Sequence, residues 1–345
     1  MSSPTLVIQT AFLGDVVLTT GLLSYLAERV GPVDVVTTPA ASPLLETHPA
    51  VRRAIGYDKR GADRGFGGLV RLAGRLRREA YSRAYLPHRS IRSATLARLA
   101  GIPERIGFAR SPGSWTYTRR IARPEGVHEA ERILALAEPP PGSAAAVSLG
   151  LTAEDRLRAA EWLVAKGVGP GFVALAPGSI WGTKRWPGYA ELAAALGRPV
   201  VIVGGPEDRV LAESVAAAAP GRAHVAAGEL PLRVTAALLE RARVLVTNDS
   251  APLHLATAVG TPVVAIFGPT VPAFGFGPRG SSDRIVEHET LPCRPCSSHG
   301  PPVCPLGHHR CMREVLVERV LRMIRESGDP GIGESGPSLP DSQIP

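Results

Sequence analysis

Short runs of β-branched and aliphatic residues alternate along this chain with longer stretches whose apolar positions recur every three or four residues. Residues 5–9 (TLVIQ) read as a strand, and a helix is predicted from Asp15 to Arg29 with Val16, Leu23, Leu26 and Ala27 turned inward. Residues 33–37 (VDVVT) form a second strand, with more near 81–87 and 104–108 and helices near 66–79, 92–100 and 128–137. Strands separated by helices specify a mostly parallel sheet covered on both faces. The pattern breaks at 139–147 (PPPGSAAAV), which reads as a linker, and then starts again. Thr152, followed by Glu154 and Asp155, opens a helix over 152–166. Strands follow at 172–176, 199–203, 243–247 and 262–267, with helices near 187–196, 207–219, 231–241 and 251–259. The fold class is therefore α/β, in two units over 1–145 and 146–326. The Gly-, Pro- and Ser-rich tail 327–345 is expected to be disordered.

Composition sharpens this picture in two places. Aromatic residues are only 5% of the 345, so two cores must be filled mainly by Val, Leu, Ile and Ala. The formal charge of +8 is concentrated: thirteen arginines lie between Arg71 and Arg123, against Glu79 and Glu104 alone. Such a face suits an anionic partner, whether nucleic acid, phospholipid headgroup or an acidic sugar. Nucleic acid is disfavoured, because no RRM, KH or zinc-finger pattern is present and few aromatics are available for base stacking. The longest apolar runs, such as 261–267, are far shorter than the ~20 residues a spanning helix needs. The first ten residues lack a secretory pattern. The expectation is a cytoplasmic protein with peripheral contact at the inner membrane.

Four motifs carry candidate chemistry. Gly14-Asp15 stands where the first strand turns into the first helix, a place suited to a helix cap or to a positioned general base. In APGSIWGTKRWP, Ser179 and Thr183 sit among small residues that let backbone N–H groups approach phosphate oxygens, and Lys184 adds a point charge. In VTNDSAPLH, Asp249, Ser250 and Ala251 enter a helix whose free N–H groups form a ready anion site, with His254 one turn on. Cys293, Cys296, Cys304 and Cys311 fall within nineteen residues and include a CxxC pair, a pattern that suits a structural zinc or iron–sulfur centre or reduced thiols lining a loop.

Taken together, GDVVLTTGLL, APGSIWGTKRWP, TNDSAPLHLATAVGTPVVAIFGPT and CPLGHHRCM resemble the ADP-heptose:lipopolysaccharide heptosyltransferases, and more closely heptosyltransferase II than I. The resemblance runs from about Leu6 to Met312. It implies a GT-B fold, two Rossmann-like domains whose parallel sheets face one another across a cleft. The N-terminal domain would receive the acceptor and the C-terminal domain the nucleotide sugar. The implied reaction is an inverting transfer of heptose from ADP-heptose to the anionic inner core of lipopolysaccharide, with no cofactor required. Asp15 matches the family's catalytic aspartate, and Lys184 the lysine on the donor phosphates. Ser179, Thr183, Asp249, Ser250, Ala251 and His254 match the donor-binding segments. His88, Arg89, Arg92 and Arg120 are the acceptor candidates. Ala251-Pro252 stands where many relatives have Gly, Gln9 where some carry another polar residue, and Arg233 where many place an acid suited to ribose hydroxyls. Two other functions fit these residues: a sister transferase with a different nucleotide sugar, and a non-catalytic nucleotide-sugar or glycan-binding module.

Overall fold

The structure, a computed structural model, describes residues 4–327. Two six-stranded sheets, parallel throughout, are each built from one half of the chain. The first contains β1 (Thr5–Ile8), β2 (Val33–Thr37), β3 (Val51–Gly56), β4 (Arg83–Leu86), β5 (Glu104–Phe108) and β6 (Arg119–Ile121) in the order β3-β2-β1-β4-β5-β6. Its helices are α1 (Leu13–Val30), α2 (Ser42–Leu45), α3 (Gly65–Arg78), α4 (Ile91–Leu99) and α5 (Glu129–Leu134). The second contains β7 (Val173–Ala176), β8 (Val200–Ile202), β9 (Ala223–Val225), β10 (Val244–Asn248), β11 (Val263–Phe267) and β12 (Arg284–Glu287), ordered β12-β11-β10-β7-β8-β9. It carries α6 (Ala153–Ala165), α7 (Tyr189–Ala195), α8 (Arg209–Ala216), α9 (Leu232–Glu240), α10 (Ala251–Ala258), α11 (Arg310–Arg313) and α12 (Val317–Glu326). The division proposed at 145/146 lies between the turn that ends at Ala137 and α6. The tail expected to be disordered lies, beyond Ser327, outside the described residues.

Both orders reverse once, between β1 and β4 and between β7 and β10. Ligands of open α/β sheets bind beside such a reversal, outside the carboxyl ends of the strands. The loops after these four strands, and the helix starts they lead into, hold Asp15, His88, the Ser179–Lys184 segment and the Asp249–His254 segment. Topology alone thus gathers most of the motif residues at two facing crevices.

Each sheet is covered by apolar layers on both faces. Val17 and Leu44 of the first half pack into a core layer of the second, so the halves share apolar contact. Polar links join them too. The Glu129 N–H donates to Gly275 O at 2.8 Å, and Arg132 donates to Phe274 O at 2.6 Å. His128 Nδ1 accepts the Ala130 N–H, which leaves Nε2 to donate to Gly277 O at 3.0 Å.

The outer strands β3, β6, β9 and β12 and the last helix were not predicted from the pattern. β3 shows why. Its sequence, VRRAIG, looks like a charged loop, yet Arg52 and Arg53 converge on Asp34 of β2, which is wholly buried. Arg52 donates to both Asp34 oxygens at 2.8 and 2.7 Å and Arg53 to one at 2.8 Å, and the Tyr81 hydroxyl joins them. Burial would raise the Asp34 pKa, but these charge-assisted hydrogen bonds outweigh it and hold the carboxyl below its usual range. Among the described residues, no helix is long and apolar enough to cross a membrane.

Candidate functional site

Asp15 lies in the first turn of α1, and its Oδ2 accepts the N–H of Phe12 at 3.2 Å. That is the cap bond expected of an acidic residue there. The carboxylate is nevertheless half-buried, one residue from the point where Gly14 meets the other half. Burial, reinforced by the negative charge of Glu129, raises its pKa to about 6, against the opposing pull of the Phe12 N–H, its own backbone and Arg123. Desolvation outweighs the backbone hydrogen bonds that a helix start offers such a carboxylate. Gly14, next to it, has no room for a side chain. A Cβ there would stand 2.6 Å from Cδ2 of His254, on the other half. His254 is buried, meets Phe276 edge-on at 6.3 Å, and is held neutral because burial lowers its pKa to about 4.

Beyond the Gly14–His254 contact lies a second cluster, whose charges act on His254. Lys184 Nζ bonds Asp249 Oδ2 at 2.6 Å and Asp249 O at 3.2 Å, and the Thr270 hydroxyl donates to the same Oδ2 at 2.7 Å. Both partners of this ion pair are about nine-tenths buried. Asn248 ties the cluster together. Its Oδ1 accepts the N–H of Trp186 at 3.1 Å, and its Nδ2 donates to Pro177 O at 2.8 Å. Ser250 and Ala251-Pro252 begin α10, with proline in the first turn, where its missing N–H costs no helical bond. The Ser179 hydroxyl accepts the Trp181 N–H at 3.3 Å. Thr183 donates to Pro301 O, while His309 Nε2 bonds Thr183 O at 2.7 Å. The cysteine-bearing segment is therefore the buttress of the lysine loop.

Two residues here escaped motif reasoning. Asp208, in the turn after β8, faces Gly178: a Cβ on Gly178 would come 2.2 Å from its Oδ1. Burial raises its pKa. The glycine pair before it, Gly204-Gly205, was the available signal. Arg233, by contrast, does not face the Lys184 loop. It bonds Asp155 at 3.2 Å and Thr47 across the cleft at 3.3 Å, a clasp between halves. Glu229, upstream of it, holds Trp162 Nε1 at 2.9 Å and Lys166 at 3.3 Å.

The acceptor candidates separate into two kinds. His88 Nδ1 shares a hydrogen bond with Thr10 at 3.0 Å, and burial together with Lys59 lowers its pKa to about 4. Lys59, the second residue missed, donates to Thr10 O at 2.6 Å. Arg92 is fully engaged, with Tyr57 Oη and with Asp63 O and Gly65 O at 3.0 and 2.8 Å. Arg89 and Arg120 are exposed and donate only to Arg110 O and Ser114 O.

The expected metal centre is not supported. The four cysteines are free, and no three His, Cys, Asp or Glu among the described residues are placed to hold a metal ion. The thiols lie near one another, and three of them have other contacts: Cys296 bonds Cys293 O at 3.4 Å, Cys304 accepts the His309 N–H at 3.4 Å, and Cys311 packs in an apolar core. Burial, with the neighbouring thiols, pushes the Cys311 pKa up to about 11, so it stays protonated.

A family model for glycosyltransferase family 9 (heptosyltransferase) matches residues 69–305. The lipopolysaccharide heptosyltransferase 2 of Escherichia coli K12 is 29% identical over 299 residues, 78% of this chain and 84% of that one. The solved structure of Escherichia coli ADP-heptose lipopolysaccharide heptosyltransferase II superposes with a TM-score of 0.77 at 26% identity, covering 94% of this chain and 98% of that one. A family 9 glycosyl transferase from Veillonella parvula shares the fold, with a TM-score of 0.82 at 22% identity over 94% and 97% of the two chains.

Proposed function

The chain belongs to glycosyltransferase family 9, the heptosyltransferases, and from that premise we propose that it transfers heptose from ADP-heptose to the inner core of lipopolysaccharide, at the cytoplasmic face of the membrane. It is a glycosyltransferase with a GT-B arrangement of two parallel sheets. The observation that carries the finer reading is a carboxylate of raised pKa, Asp15, set one residue from the Gly14–His254 contact between the halves, with the buried Lys184–Asp249 pair close to that same histidine.

In this reading Asp15 takes the proton from an acceptor hydroxyl as that oxygen attacks the anomeric carbon from the face opposite ADP. A base with a pKa near 6 is ionised at neutral pH, yet holds a proton better than a solvated carboxylate. Charge then develops on the departing diphosphate. Lys184 is held in place by Asp249, itself fixed by the Thr270 hydroxyl, so its ammonium need not reorganise during the reaction. The N–H groups that open α10 at Ser250 and Ala251, with Ser179 and Thr183, complete the diphosphate cradle. His254 is neutral and seals the cradle against Gly14. Asp208 is the carboxylate we assign to the ribose hydroxyls, since Arg233 is turned to Asp155 and Thr47. His88 and Lys59 face the acceptor near Asp15. Arg89 and Arg120 meet its anionic groups, and Arg92 orders the segment after β3 that carries Lys59. No metal enters the reaction, and the zinc or iron–sulfur centre expected at the cysteines is not part of the proposal.

Calorimetry with ADP-heptose against UDP-, GDP- and CMP-sugars tests the reading. Preference for ADP-heptose is expected. Preference for another donor would keep the mechanism and move the protein to a different glycan.

A further inference from the structure

Three loops at the carboxyl edge of the first sheet each push one large apolar side chain into solvent. Phe66, at the start of α3, is 69% exposed, Ile91, at the start of α4, 52%, and Trp115, in the turn after β5, 67%. Single exposed apolar residues are ordinary, but a joined set beside a cleft is not. These three are joined. Arg92 reaches from the start of α4 to Gly65 O, next to Phe66. A Cβ on Gly113 would stand 3.2 Å from the Ile91 Cα, so the turn that carries Trp115 rests on Ile91.

The rim is ringed by cations. Arg64, Arg89, Arg110 and Arg120 are exposed, and none has a carboxylate partner among the described residues. Arg120 is bonded to the turn that holds Trp115, and Arg89 to the loop before it. The nearby acids are engaged by backbone N–H groups. Asp58 accepts the N–H groups of Gly61 and Ala62, and Asp63 that of Asp58. Aromatic and aliphatic tips amid unpaired arginines match the headgroup zone of an anionic bilayer, where rings settle at the interface and cations meet phosphate.

We propose that the Phe66–Ile91–Trp115 rim docks this protein on an anionic lipid bilayer and so presents the mouth of the cleft to the membrane surface. The inference deepens the proposed function, because a lipid-borne acceptor must be met at a bilayer. Its test uses neither donor nor acceptor, so it can fail while donor preference stands.

The full chain is floated with vesicles of phosphatidylethanolamine and phosphatidylglycerol, and separately with phosphatidylcholine vesicles. Salt-sensitive binding to the anionic vesicles alone is expected. The Phe66→Ser/Ile91→Ser/Trp115→Ser variant should lose it while keeping its melting temperature and its ADP affinity. Arg64→Gln/Arg110→Gln should weaken binding about 25-fold, roughly fivefold for each cation near an anionic leaflet. Absence of flotation, or flotation untouched by the triple variant, overturns the proposal. So does a triple variant that turns an oligomer into a monomer in sedimentation, which would make the rim a contact between copies of this chain.

Discussion

Asp15→Asn should abolish transfer and stabilise the protein. The Asp15 pKa rises from 3.8 to about 6 on folding, chiefly through burial. The folded protein therefore binds more protons than the unfolded chain between those values, and wild-type stability falls as pH rises through that window. Above pH 6 the full penalty of a buried charge is present; below pH 4 it is absent. A shift of about two units corresponds to ~3 kcal/mol at most, and residual exposure to the cleft lowers this to about 1–3 kcal/mol. Asparagine removes the charge and keeps an oxygen to accept the Phe12 N–H. The variant should therefore melt about 2–10 °C above wild type at pH 7.5 and coincide with it near pH 4. Transfer should fall by about 10²–10⁴, and wild-type kcat/KM should drop on the acid side with a midpoint near pH 6. A gap in melting temperature equal at both pH values would show that burial of the charge is not its origin. Activity within tenfold of wild type would remove Asp15 as the base.

Other substitutions probe the rest of the site. Lys184→Ala should weaken ADP-heptose binding far more than acceptor binding, and it should cost about 3 kcal/mol of stability by leaving Asp249 buried and unpaired; paired calorimetry and denaturation separate the two effects, and equal loss of both ligands contradicts the assignment. Gly14→Ala forces His254 away and should lower kcat at least tenfold with ADP affinity little changed, read by steady-state kinetics. Asp208→Ala should raise the dissociation constant of ADP about tenfold, the scale of a charge-assisted hydrogen bond, yet leave inorganic diphosphate binding unaltered. Arg233→Ala should leave donor preference as it was, because its guanidinium bridges Asp155 and Thr47.

What could be read before folding follows from how local each signal is. The inner strands β1, β2, β7, β10 and β11 are mostly apolar and buried on both faces, and the pattern places them to within a residue or so. The outer strands β3 and β6 carry exposed arginines, whose partners, Asp34 and Glu104, belong to other strands. Nothing local marks them as strands. The site divides in the same way. Gly14-Asp15 and the Lys184 and Asp249 segments are contiguous motifs, and the structure brings them to one cleft. Lys59, Asp208 and the Arg233 clasp depend on contacts between distant segments. The cysteines are the reverse case, and their metal reading is left unsupported. Their spacing is a local pattern, whereas the partners of their thiols are set by the surrounding chain.

The contact of Gly14 with His254 has a consequence for timing. Part of what excludes water from Asp15 comes from the other half of the molecule, so separating the halves rewets the carboxylate and returns its proton affinity toward that of a free side chain. In the proposed mechanism the strength of the base is thus indexed to closure of the cleft. An open enzyme that holds only a nucleotide sugar carries a weaker base beside bulk water, which disfavours wasteful hydrolysis of the donor. Closure around both substrates raises the proton affinity at the moment a hydroxyl is in place to use it.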